Sequence, residues 1–582
     1  MSRYVLGVSA QFHDSAAALV RDGELIAASA EERFSRIKHD SALPLQAMNW
    51  CLDHAGITAE DLDYVVFHEK PLRKFERLLI TQVQEFPRSL DAFRKTALTW
   101  FPDKLWVRGS IAKALEISAR KILFSDHHLS HAASAFYASP FEKAAVLTID
   151  GVGEWATTAL FDASERGVNR LSEIHFPHSI GLVYSAFTAY LGFRVNDGEA
   201  KVMGLASYGT PRYVDEVRRI LKSGSDGDIS VDLSYVTYQF SATQSFSSRF
   251  EELFGPARAP DRKFDLSTPE GRKYADIAAS LQVVTEDCVV GLANALHRRT
   301  GYPNLCLAGG VALNAVINGR LTLRTPFERI YVHPAAGDDG AAAGAALWAW
   351  NEVVGGRRGP ALTKPGLGRS WSDAEIRKTL DDLDISYSHI EDESVAASAV
   401  NDLVDGKAVG WFQGRFEWGP RSLGHRSILA DPRQPGMNDR INRKIKFREE
   451  FRPFAPAVLK GSEHNYFDLP PGTDLLTPWM LMVAPVKDRA RNLLPSTTHA
   501  DGSARAQVVA QDDNPLFHEL LSEFGAATGH PILLNTSFNL KGEPIVSSPL
   551  QALRTFYSSE LDVLYLGAFR ISNTAIGKTH YA

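Results

Sequence analysis

Two histidines one helical turn apart are the first residues in the sequence that could do chemistry. His127 and His131 stand at positions i and i+4 of a stretch predicted to be a helix that begins after Ser125-Asp126, so their rings share one face. Asp150 and Asp338 each follow a short apolar run, in a turn flanked by glycines. Two imidazoles and two carboxylates suit a divalent ion such as Fe(II), Mn(II) or Zn(II). The alternatives are hydrogen-bonded helix histidines and ordinary turn acids.

His13 lies in the polar turn Gln11-Phe-His-Asp14, between two apolar runs. Imidazole is the side chain whose ordinary pKa best suits proton transfer near neutrality. The position therefore indicates a general base facing a cleft. The alternative is a structural or solvated histidine.

Two glycine-containing segments could hold a nucleotide. Gly309-Gly310 joins an apolar strand to a predicted helix, and Asn314 follows. Backbone can approach a phosphate closely at such a junction. Lys201, in the run that ends at Gly204, offers a cation beside a second predicted loop. Tight or exposed turns are the alternatives for both segments.

Basic residues concentrate near the C-terminal half, among loops rich in glycine, serine and asparagine. The positions that matter most are Arg421, Lys446, Arg452, Arg505 and Ser537. In a chain of net charge -6, this concentration indicates an anion site for polyphosphate or a small phosphate ester. Interleaved phenylalanines predict that part of the stretch packs into a wall, and the alternative is a solvated charged face.

The elements that must position these residues form a repeated pattern. Short apolar runs around Asp22-Gly23 predict a strand and a hairpin, and a similar unit recurs about 140 residues later around Asp150. Repetition at this spacing predicts a duplicated domain and not a solenoid. The pattern also predicts helices over 274–298 and 311–321. The segment 355–368 reads as a linker, and Ser372 as a helix cap beyond it. We therefore predict domains at 1–358 and 369–582.

Composition bounds the class of protein. A chain of 582 residues is too long for a single hydrophobic core, because such cores stop growing near about 250–300 residues. At least two domains are therefore expected. Three scattered cysteines give no disulfide framework, so a reducing, cytoplasmic compartment is expected. The acidic net charge does not favour binding of the whole protein to nucleic acid. No apolar stretch reaches the roughly 18–20 residues that are needed to span a bilayer. We expect neither nucleic acid nor membrane as a partner.

Several motifs together resemble the NodU/CmcH family of O-carbamoyltransferases, in order and from about residue 4 to 570. They are FHDSAAALV, EERFSRIKH, DHHLSHAASAFY, TIDGVGE, GGVALN, GDDGAAAGAAL, GPRSLGHRSILADPR, KFREEFRPFAP and LLNTSFN. The resemblance implies an α/β protein of two domains. The first is a duplicated actin-like domain of the actin, sugar-kinase and heat-shock ATPase (ASKHA) class, similar to the tRNA threonylcarbamoyl transferase. The second is YrdC-like, a fold that makes carbamoyl adenylates.

The resemblance also implies a two-step reaction. Carbamoyl phosphate and ATP, with Mg2+, would give carbamoyl adenylate, and a hydroxyl of a small-molecule sugar or polyketide (macrolide) would then take the carbamoyl group. The resemblance assigns anion binding to Arg421, Lys446, Arg452, Arg505 and Ser537, and the role of general base to His13. It assigns the iron ligands to His127, His131, Asp150 and Asp338. It places the loops that hold nucleotide at Gly204, Gly309, Gly310 and Asn314, with Lys201 beside them.

Three competing functions stay open at this point. They are a tRNA threonylcarbamoyl-type transferase, a small-molecule kinase on the same actin-like fold, and a non-catalytic nucleotide-binding regulator. A kinase needs no second anion site, and a regulator needs no base. The sequence identifies neither the acceptor nor the native metal, and we expect a monomer or a homodimer.

Overall fold

The computed structural model describes residues 2–573 except 225, 261 and 263. The strands are β1 Tyr4–Ser9, β2 Ala16–Arg21, β3 Glu24–Ala30, β4 Leu62–Phe67, β5 Ile122–Phe124, β6 Ala144–Ile149, β7 Ala156–Ser164, β8 Gly167–His175, β9 Leu221–Ser223, β10 Ile229–Val231, β11 Asn304–Ala308, β12 Arg329–Val332, β13 Ser388–His389, β14 Val409–Phe412, β15 Arg426–Ala430, β16 Ala455–Leu459, β17 Ala484–Pro485, β18 Ser503–Ala504, β19 Gln507–Val509, β20 Ile532–Ser537, β21 Val563–Leu566 and β22 Phe569–Ser572.

The helices are α1 Glu32–Ser35, α2 Leu45–Ala55, α3 Pro71–Gln84, α4 Leu90–Trp100, α5 Val107–Leu115, α6 His127–Ala138, α7 Ile180–Tyr190, α8 Glu199–Ala206, α9 Val214–Ile220, α10 Ser248–Phe254, α11 Pro269–Thr300, α12 Ala315–Arg324, α13 Asp338–Trp348, α14 Asp373–Asp382, α15 Val395–Val404, α16 Met437–Arg440, α17 Asp488–Arg491, α18 Pro515–Thr528 and α19 Pro549–Tyr557. Within the described ranges, no helix has both the length and the apolar character needed to cross a bilayer.

Internal packing divides the chain into two compact units. The first unit comprises the residues up to Glu31, His39–Leu362 and Pro470–Leu475. The second unit comprises Glu32–Lys38, Thr363–Leu469 and the residues from Leu476 on. Neither unit is therefore one continuous stretch of sequence.

Two five-stranded sheets with the same connectivity form the first unit. Their strand orders are β3-β2-β1-β4-β5 and β8-β7-β6-β11-β12. In the first sheet β1, β2 and β3 pair antiparallel in succession, and β4 and β5 extend the other side of β1 as parallel strands. In the second sheet β6, β7 and β8 pair antiparallel in succession, and β11 and β12 extend the other side of β6 as parallel strands. The predicted duplication of an actin-like domain is confirmed by this repeated order. The Asp22-Gly23 hairpin is confirmed as well, since both residues take the left-handed backbone that such a turn requires.

Helices α6 and α13 pack against each other and against the strands of this unit, and both begin with candidate site residues. The close fit depends on small residues of α13. A Cβ on Gly344 would lie 1.7 Å from the Ser130 carbonyl oxygen on α6, and a Cβ on Gly7 of β1 would lie 1.8 Å from the Ala342 oxygen. Any larger side chain at either glycine would force these backbones apart. The close packing therefore fixes the first turns of α6 and α13 near one another.

The second unit contains an eight-stranded mixed sheet with the order β13-β22-β21-β14-β15-β20-β16-β19. One face packs against α14 and α19, and the other packs against α15 and α18. This is the α/β domain predicted as YrdC-like. Segment 32–38 is part of this unit: Arg36 donates to the Pro544 and Ile545 carbonyl oxygens, both at 2.8 Å, and Arg33 donates to the Gly419 oxygen at 3.1 Å.

Several element predictions are confirmed and two need correction. The helix predicted at 274–298 extends over Pro269–Thr300, because Thr268 caps its start and Gly301 ends it in a left-handed conformation. The helix predicted to start at 311 starts at Ala315, since the Asn314 side chain caps it. The loop predicted before Gly204 is helix α8, whose Glu-Ala-Lys-Val-Met start favours a helix despite the glycine.

The predicted linker carries no helix or regular strand between 355 and 368, and the Ser372 cap is confirmed. The linker is nevertheless held at its start. Arg358 donates hydrogen bonds to four carbonyl oxygens at the end of α6 and just beyond it, those of Phe136, Tyr137, Ser139 and Phe141. These four hydrogen bonds attach the start of the linker to the end of α6.

Candidate active site

Four side chains of the first unit converge at the ends of three elements. Helix α6 begins at His127, with Asp126 as its cap, and places His131 one turn later on the same face. Asp150 follows the last residue of β6, and Asp338 is the first residue of α13. We call these four residues the metal cluster: His127, His131, Asp150 and Asp338.

The ligand atoms of the metal cluster all lie within 4.8 Å of one another. Asp150 Oδ2 lies 3.2 Å from His127 Nε2 and 2.9 Å from His131 Nε2. Asp338 Oδ1 lies 3.3 Å from His131 Nε2. This oxygen is buried and has no hydrogen-bond partner among the described residues. Two imidazole nitrogens facing two carboxylates form a donor set that fits a divalent transition metal, so the residues present match the ion that the resemblance implies.

The charges of the cluster control its protonation when no ion is bound. Burial lowers the pKa of His131, but the hydrogen bond to Asp150 and the nearby carboxylate of Asp338 outweigh it and raise that pKa to about 9. Burial raises the pKa of Asp150, yet the two histidines hold it well below its usual range. The pKa of His127 is also raised, since the carboxylates outweigh its burial. Without an ion, the cluster is thus a set of ion pairs at neutral pH.

We predict that binding of a divalent ion releases protons from this cluster. A ligating imidazole is neutral, whereas His131 with a pKa of about 9 is protonated at pH 7. Release of the His131 proton alone should therefore raise the association constant for Mn2+ about tenfold from pH 7 to 8, less steeply from pH 8 to 9, and little above that. Titrations followed by electron paramagnetic resonance of free Mn2+ at pH 7, 8 and 9 would measure it. A constant affinity across this range would contradict the prediction.

His13 lies in the turn between β1 and β2, beside the metal cluster. Its Nδ1 is 2.8 Å from Asp14 Oδ2, and its Nε2 is 3.7 Å from Asp338 Oδ2. Asp14 is itself held by His39, whose Nδ1 lies 2.7 Å from Asp14 Oδ1. The Asp14 contact keeps the proton of a neutral His13 on Nδ1 and leaves Nε2 with a lone pair, as a general base requires.

The environment of His13 also sets its protonation. Burial lowers the pKa of His13, but the charge of Asp338 and the hydrogen bond to Asp14 outweigh burial and raise that pKa to about 9. His13 is therefore protonated at neutral pH unless a cation offsets the charge of Asp338, so its use as a base requires an ion bound at that carboxylate. Both Gln11 and Asp14 have left-handed backbone, with φ of 74° and 51°. Such non-glycine conformations are costly and cluster at functional sites. Asp14 was not singled out from the sequence, although its place next to His13 in one turn was the available signal.

The residues predicted to hold nucleotide are spread over several elements of the first unit. Gly309 and Gly310 follow β11, and a Cβ on Gly309 would lie 2.3 Å from the Ile149 carbonyl oxygen. The Asn314 oxygen accepts from the backbone of α12, and its amide donates to Gln282 at 2.9 Å. Lys201 Nζ on α8 lies 3.6 Å from Asp197. Gly309 thus brings β11 against the end of β6, beside Asp150, while Asn314 serves as a helix cap.

Lys446 is the centre of the predicted anion site in the second unit. It is 3% exposed and follows the short π-helix Ile441–Ile445. Its Nζ donates to the Ser537 carbonyl oxygen at 2.6 Å, to Ser537 Oγ at 3.0 Å and to Asn539 Oδ1 at 2.5 Å. The structure thus brings Lys446 and Ser537 together, and it adds Asn539, which sequence reasoning did not assign.

Four arginines join Lys446 in what we call the basic cluster: Arg421, Arg448, Arg452 and Arg505. Burial, followed by the charges of Arg448 and Arg452, holds the pKa of Lys446 well below its usual range. Burial and the charges of Arg421 and Arg452 likewise lower the pKa of Arg505. Cations gathered this closely, of which Lys446 and Arg505 have their pKa lowered by burial and by the neighbouring charges, are stabilised by a bound anion. Arg448 lies within the motif KFREEFRPFAP, but the sequence alone did not assign it to the site.

Buried donors of the basic cluster still have bonding capacity. Nε of Arg505 and Nη2 of Arg448 are buried with no hydrogen-bond partner among the described residues. Buried donors are almost always satisfied in native proteins, so two such groups in one cluster point to an absent acceptor. A phosphate, with several acceptor oxygens, matches them.

Glu417 organises the loop that carries Arg421. Its Oε1 accepts from the backbone N–H groups of Leu423, His425 and Arg426, at 2.9, 2.8 and 2.9 Å. Three such bonds to one buried carboxylate oxygen fix the loop over residues 417–426. Sequence reasoning did not identify this role, because the bonds go to backbone groups that no motif displays.

Comparison with known families agrees with this division of the chain. The carbamoyltransferase N-terminus family matches residues 4–347, and the carbamoyltransferase C-terminus family matches residues 400–573. The chain belongs to the carbamoyltransferase family. It is accordingly a transferase enzyme, and the predicted NodU/CmcH membership is confirmed.

Relatives of this carbamoyltransferase span nearly its whole length. The Synechocystis sp. protein sll1178 is 45% identical, over 98% of this chain and 97% of its own. Nodulation protein NolNO of Sinorhizobium fredii is 39% identical, over 96% of this chain and 79% of its own. Nodulation protein U of Rhizobium tropici is 29% identical, over 91% of this chain and 90% of its own.

Two solved structures resemble this carbamoyltransferase at low identity and low TM-score. Component A of (R)-2-hydroxyglutaryl-CoA dehydratase from Acidaminococcus fermentans is 17% identical with a TM-score of 0.35, over 60% of this chain and 99% of its own. HypF of T. kodakarensis is 18% identical with a TM-score of 0.32, over 61% of this chain and 48% of its own. The fold assignment rests on the repeated sheet order and not on these low scores.

Proposed function

We propose that the protein is an ATP-dependent O-carbamoyltransferase acting on a hydroxyl of a small-molecule natural product, a sugar or a polyketide. The basic cluster of the second unit binds carbamoyl phosphate and the phosphates of ATP with Mg2+, and forms carbamoyl adenylate. The first unit transfers the carbamoyl group, with His13 as the base. The observation that supports this proposal is the presence of two separate sites: the basic cluster in the second unit, and the metal cluster with His13 in the first unit.

The adenylating step takes place at Lys446 and its neighbours. Carbamoyl phosphate and water give carbamate and phosphate, and a carbamate oxygen then attacks the α-phosphorus of ATP, so that pyrophosphate leaves. Negative charge accumulates on the phosphoryl oxygens, where fixed buried donors stabilise it without reorganising. Lys446, Arg448 and Arg505 supply those donors. Exclusion of water preserves the reactive carbamoyl adenylate.

The transfer step takes place at His13. The acceptor O–H loses its proton to His13 Nε2 as the oxygen attacks the carbamoyl carbon, and AMP leaves. Asp14 holds the imidazole through Nδ1 and stabilises the imidazolium that forms. A divalent ion, Fe2+ in this proposal, would be held by His127, His131, Asp150 and Asp338, and would supply positive charge near the departing phosphate. Gly310 follows β11 and brings its backbone amide to the same edge of the sheet, whereas the Gly309 N–H already donates to the Ala336 oxygen at 2.8 Å.

The proposal is tested by incubating the purified protein with carbamoyl phosphate, ATP and Mg2+ in the absence of an acceptor. We expect pyrophosphate release that depends on carbamoyl phosphate, with AMP and no ADP as the nucleotide product. Omission of carbamoyl phosphate is the control. ADP formation in place of pyrophosphate would contradict the proposal and favour a kinase on the same fold.

A further inference from the structure

A second group of buried side chains lies behind the metal cluster, on the opposite edge of the His127 ring. It consists of His68, Glu69 and His127, whose nearest donor atoms lie within 4.8 Å of one another. His68 and Glu69 follow the end of β4, and both are at most 2% exposed. Glu69 Oε2 lies 3.8 Å from His127 Nδ1 and 3.9 Å from His68 Nε2.

This group is not a second metal site, because a cation already occupies it. Lys74 of α3, 6% exposed, places its Nζ 2.6 Å from Glu69 Oε2. An ammonium group and a divalent ion cannot share that oxygen at such a distance without strong repulsion. Lys74 thus makes Glu69 a paired, buried carboxylate and leaves it available as a hydrogen-bond acceptor.

His127 needs an acceptor on this edge. Its Nε2 points toward Asp150, so its other nitrogen, Nδ1, carries the proton whenever Nε2 binds an ion. Nδ1 is buried and has no hydrogen-bond partner among the described residues. Histidines that bind metals almost always donate this second N–H to a carboxylate, a carbonyl or water. A movement of about 1 Å would bring Nδ1 and Glu69 Oε2 to hydrogen-bonding distance.

Glu154 limits the movement of His127 and Glu69 relative to each other. Its carboxylate accepts from the backbone N–H of His127 at 3.1 and 3.2 Å. The same carboxylate accepts from the backbone N–H of Lys70, next to Glu69, at 2.8 Å. One buried side chain therefore ties the start of α6 to the segment that presents Glu69, which limits how far the ring and the carboxylate can separate.

We propose that Glu69, paired with Lys74, is a positioning residue that accepts the Nδ1 proton of His127 and so orients the ring of this ligand toward the ion. The inference rests on the metal site of the proposed function. It assigns to the segment His68–Lys74 a role in metal affinity rather than in contact with substrate.

The test measures the affinity of the full-length protein for Co2+, by competition with a chelator and by the visible absorption of bound cobalt. Four proteins are compared: wild type, Glu69→Gln, the ligand variant Asp150→Asn, and the control Glu76→Gln, which changes an exposed glutamate of α3. We expect the dissociation constant of Glu69→Gln to rise about 10- to 100-fold. Glu76→Gln should match wild type, and Asp150→Asn should bind most weakly.

The outcomes distinguish the role of Glu69 from the existence of the metal site itself. Wild-type affinity in Glu69→Gln, together with weakened binding in Asp150→Asn, would overturn the role of Glu69 and leave the metal site intact. Equal affinity of Asp150→Asn and wild type would overturn the metal site and the inference with it. If Glu69→Gln fails to fold because Lys74 is left unpaired, Glu69→Gln/Lys74→Met removes both charges and should show the same weakening. Thermal unfolding without metal checks that each variant is folded.

Discussion

Replacing Lys446 by alanine is expected to abolish pyrophosphate release that depends on carbamoyl phosphate, with a loss of about 10²–10³-fold in kcat. The ammonium group is buried and fixed by three acceptors on Ser537 and Asn539, so it cannot be replaced by water in the same geometry. Its burial beside Arg448 and Arg452 depresses its pKa, which means that the site gains stability when an anion binds. The measurement is the initial rate of pyrophosphate release at saturating ATP.

A lysine two positions away provides the matched control. Lys444 is 57% exposed and forms an ion pair with Glu560 at 3.0 Å. Lys444→Ala should keep the wild-type rate, because an exposed ion pair contributes little to stability or binding. Comparable losses in both variants would mean that the general charge of this stretch matters and not the buried position, and a wild-type rate in Lys446→Ala would remove Lys446 from the site.

His13→Asn is expected to lower the rate of carbamoyl transfer by about 10²–10⁴-fold, the usual contribution of a positioned general base. Asparagine can keep the hydrogen bond to Asp14, but it cannot accept a proton from a hydroxyl group. Since the residues proposed for adenylation belong to the other unit, pyrophosphate release should stay at the wild-type rate. The readout is the carbamoylated product formed from an acceptor that the wild type modifies.

His54→Asn is the control for this variant, because His54 is an exposed histidine on α2 of the same unit. It should transfer at the wild-type rate. Full transfer by His13→Asn would rule out the base assignment, and loss of pyrophosphate release in the same variant would show that the two half-reactions are not separable as proposed.

The sequence predicts the parts of the fold that local patterns encode. Turn chemistry and apolar runs act over a few residues, so the sequence is enough to predict the elements that depend on them. These are the Asp22-Gly23 turn, the strands at Asn304–Ala308 and Arg329–Val332, and the Ser372 cap. The start of α12 is less visible. Asn314 can serve as a loop residue or as a cap, and only its hydrogen bonds to the following amides decide between the two.

The same contrast holds for the candidate site. Spacing along α6 predicts that His127 and His131 share a face, but their meeting with Asp338 depends on the packing of α13 against α6, some 200 residues apart in sequence. Supporting residues were missed for a related reason. Asp14, Glu417 and Asn539 act through hydrogen bonds to other groups of the site. An isolated acid or amide in a loop forms no sequence pattern from which such a partner could be predicted.

The interrupted course of the chain through its two units limits how the gene can be divided. The chain changes unit between residues 31 and 32, 38 and 39, 362 and 363, 469 and 470, and 475 and 476. A fragment that starts at 363 lacks Arg33 and Arg36, which donate to carbonyl oxygens within its own unit. A fragment that ends at 362 lacks Leu475, which packs on its core. The two units therefore cannot be moved to separate polypeptides by a single cut, and fusion or exchange of either unit has to carry its inserted segment along.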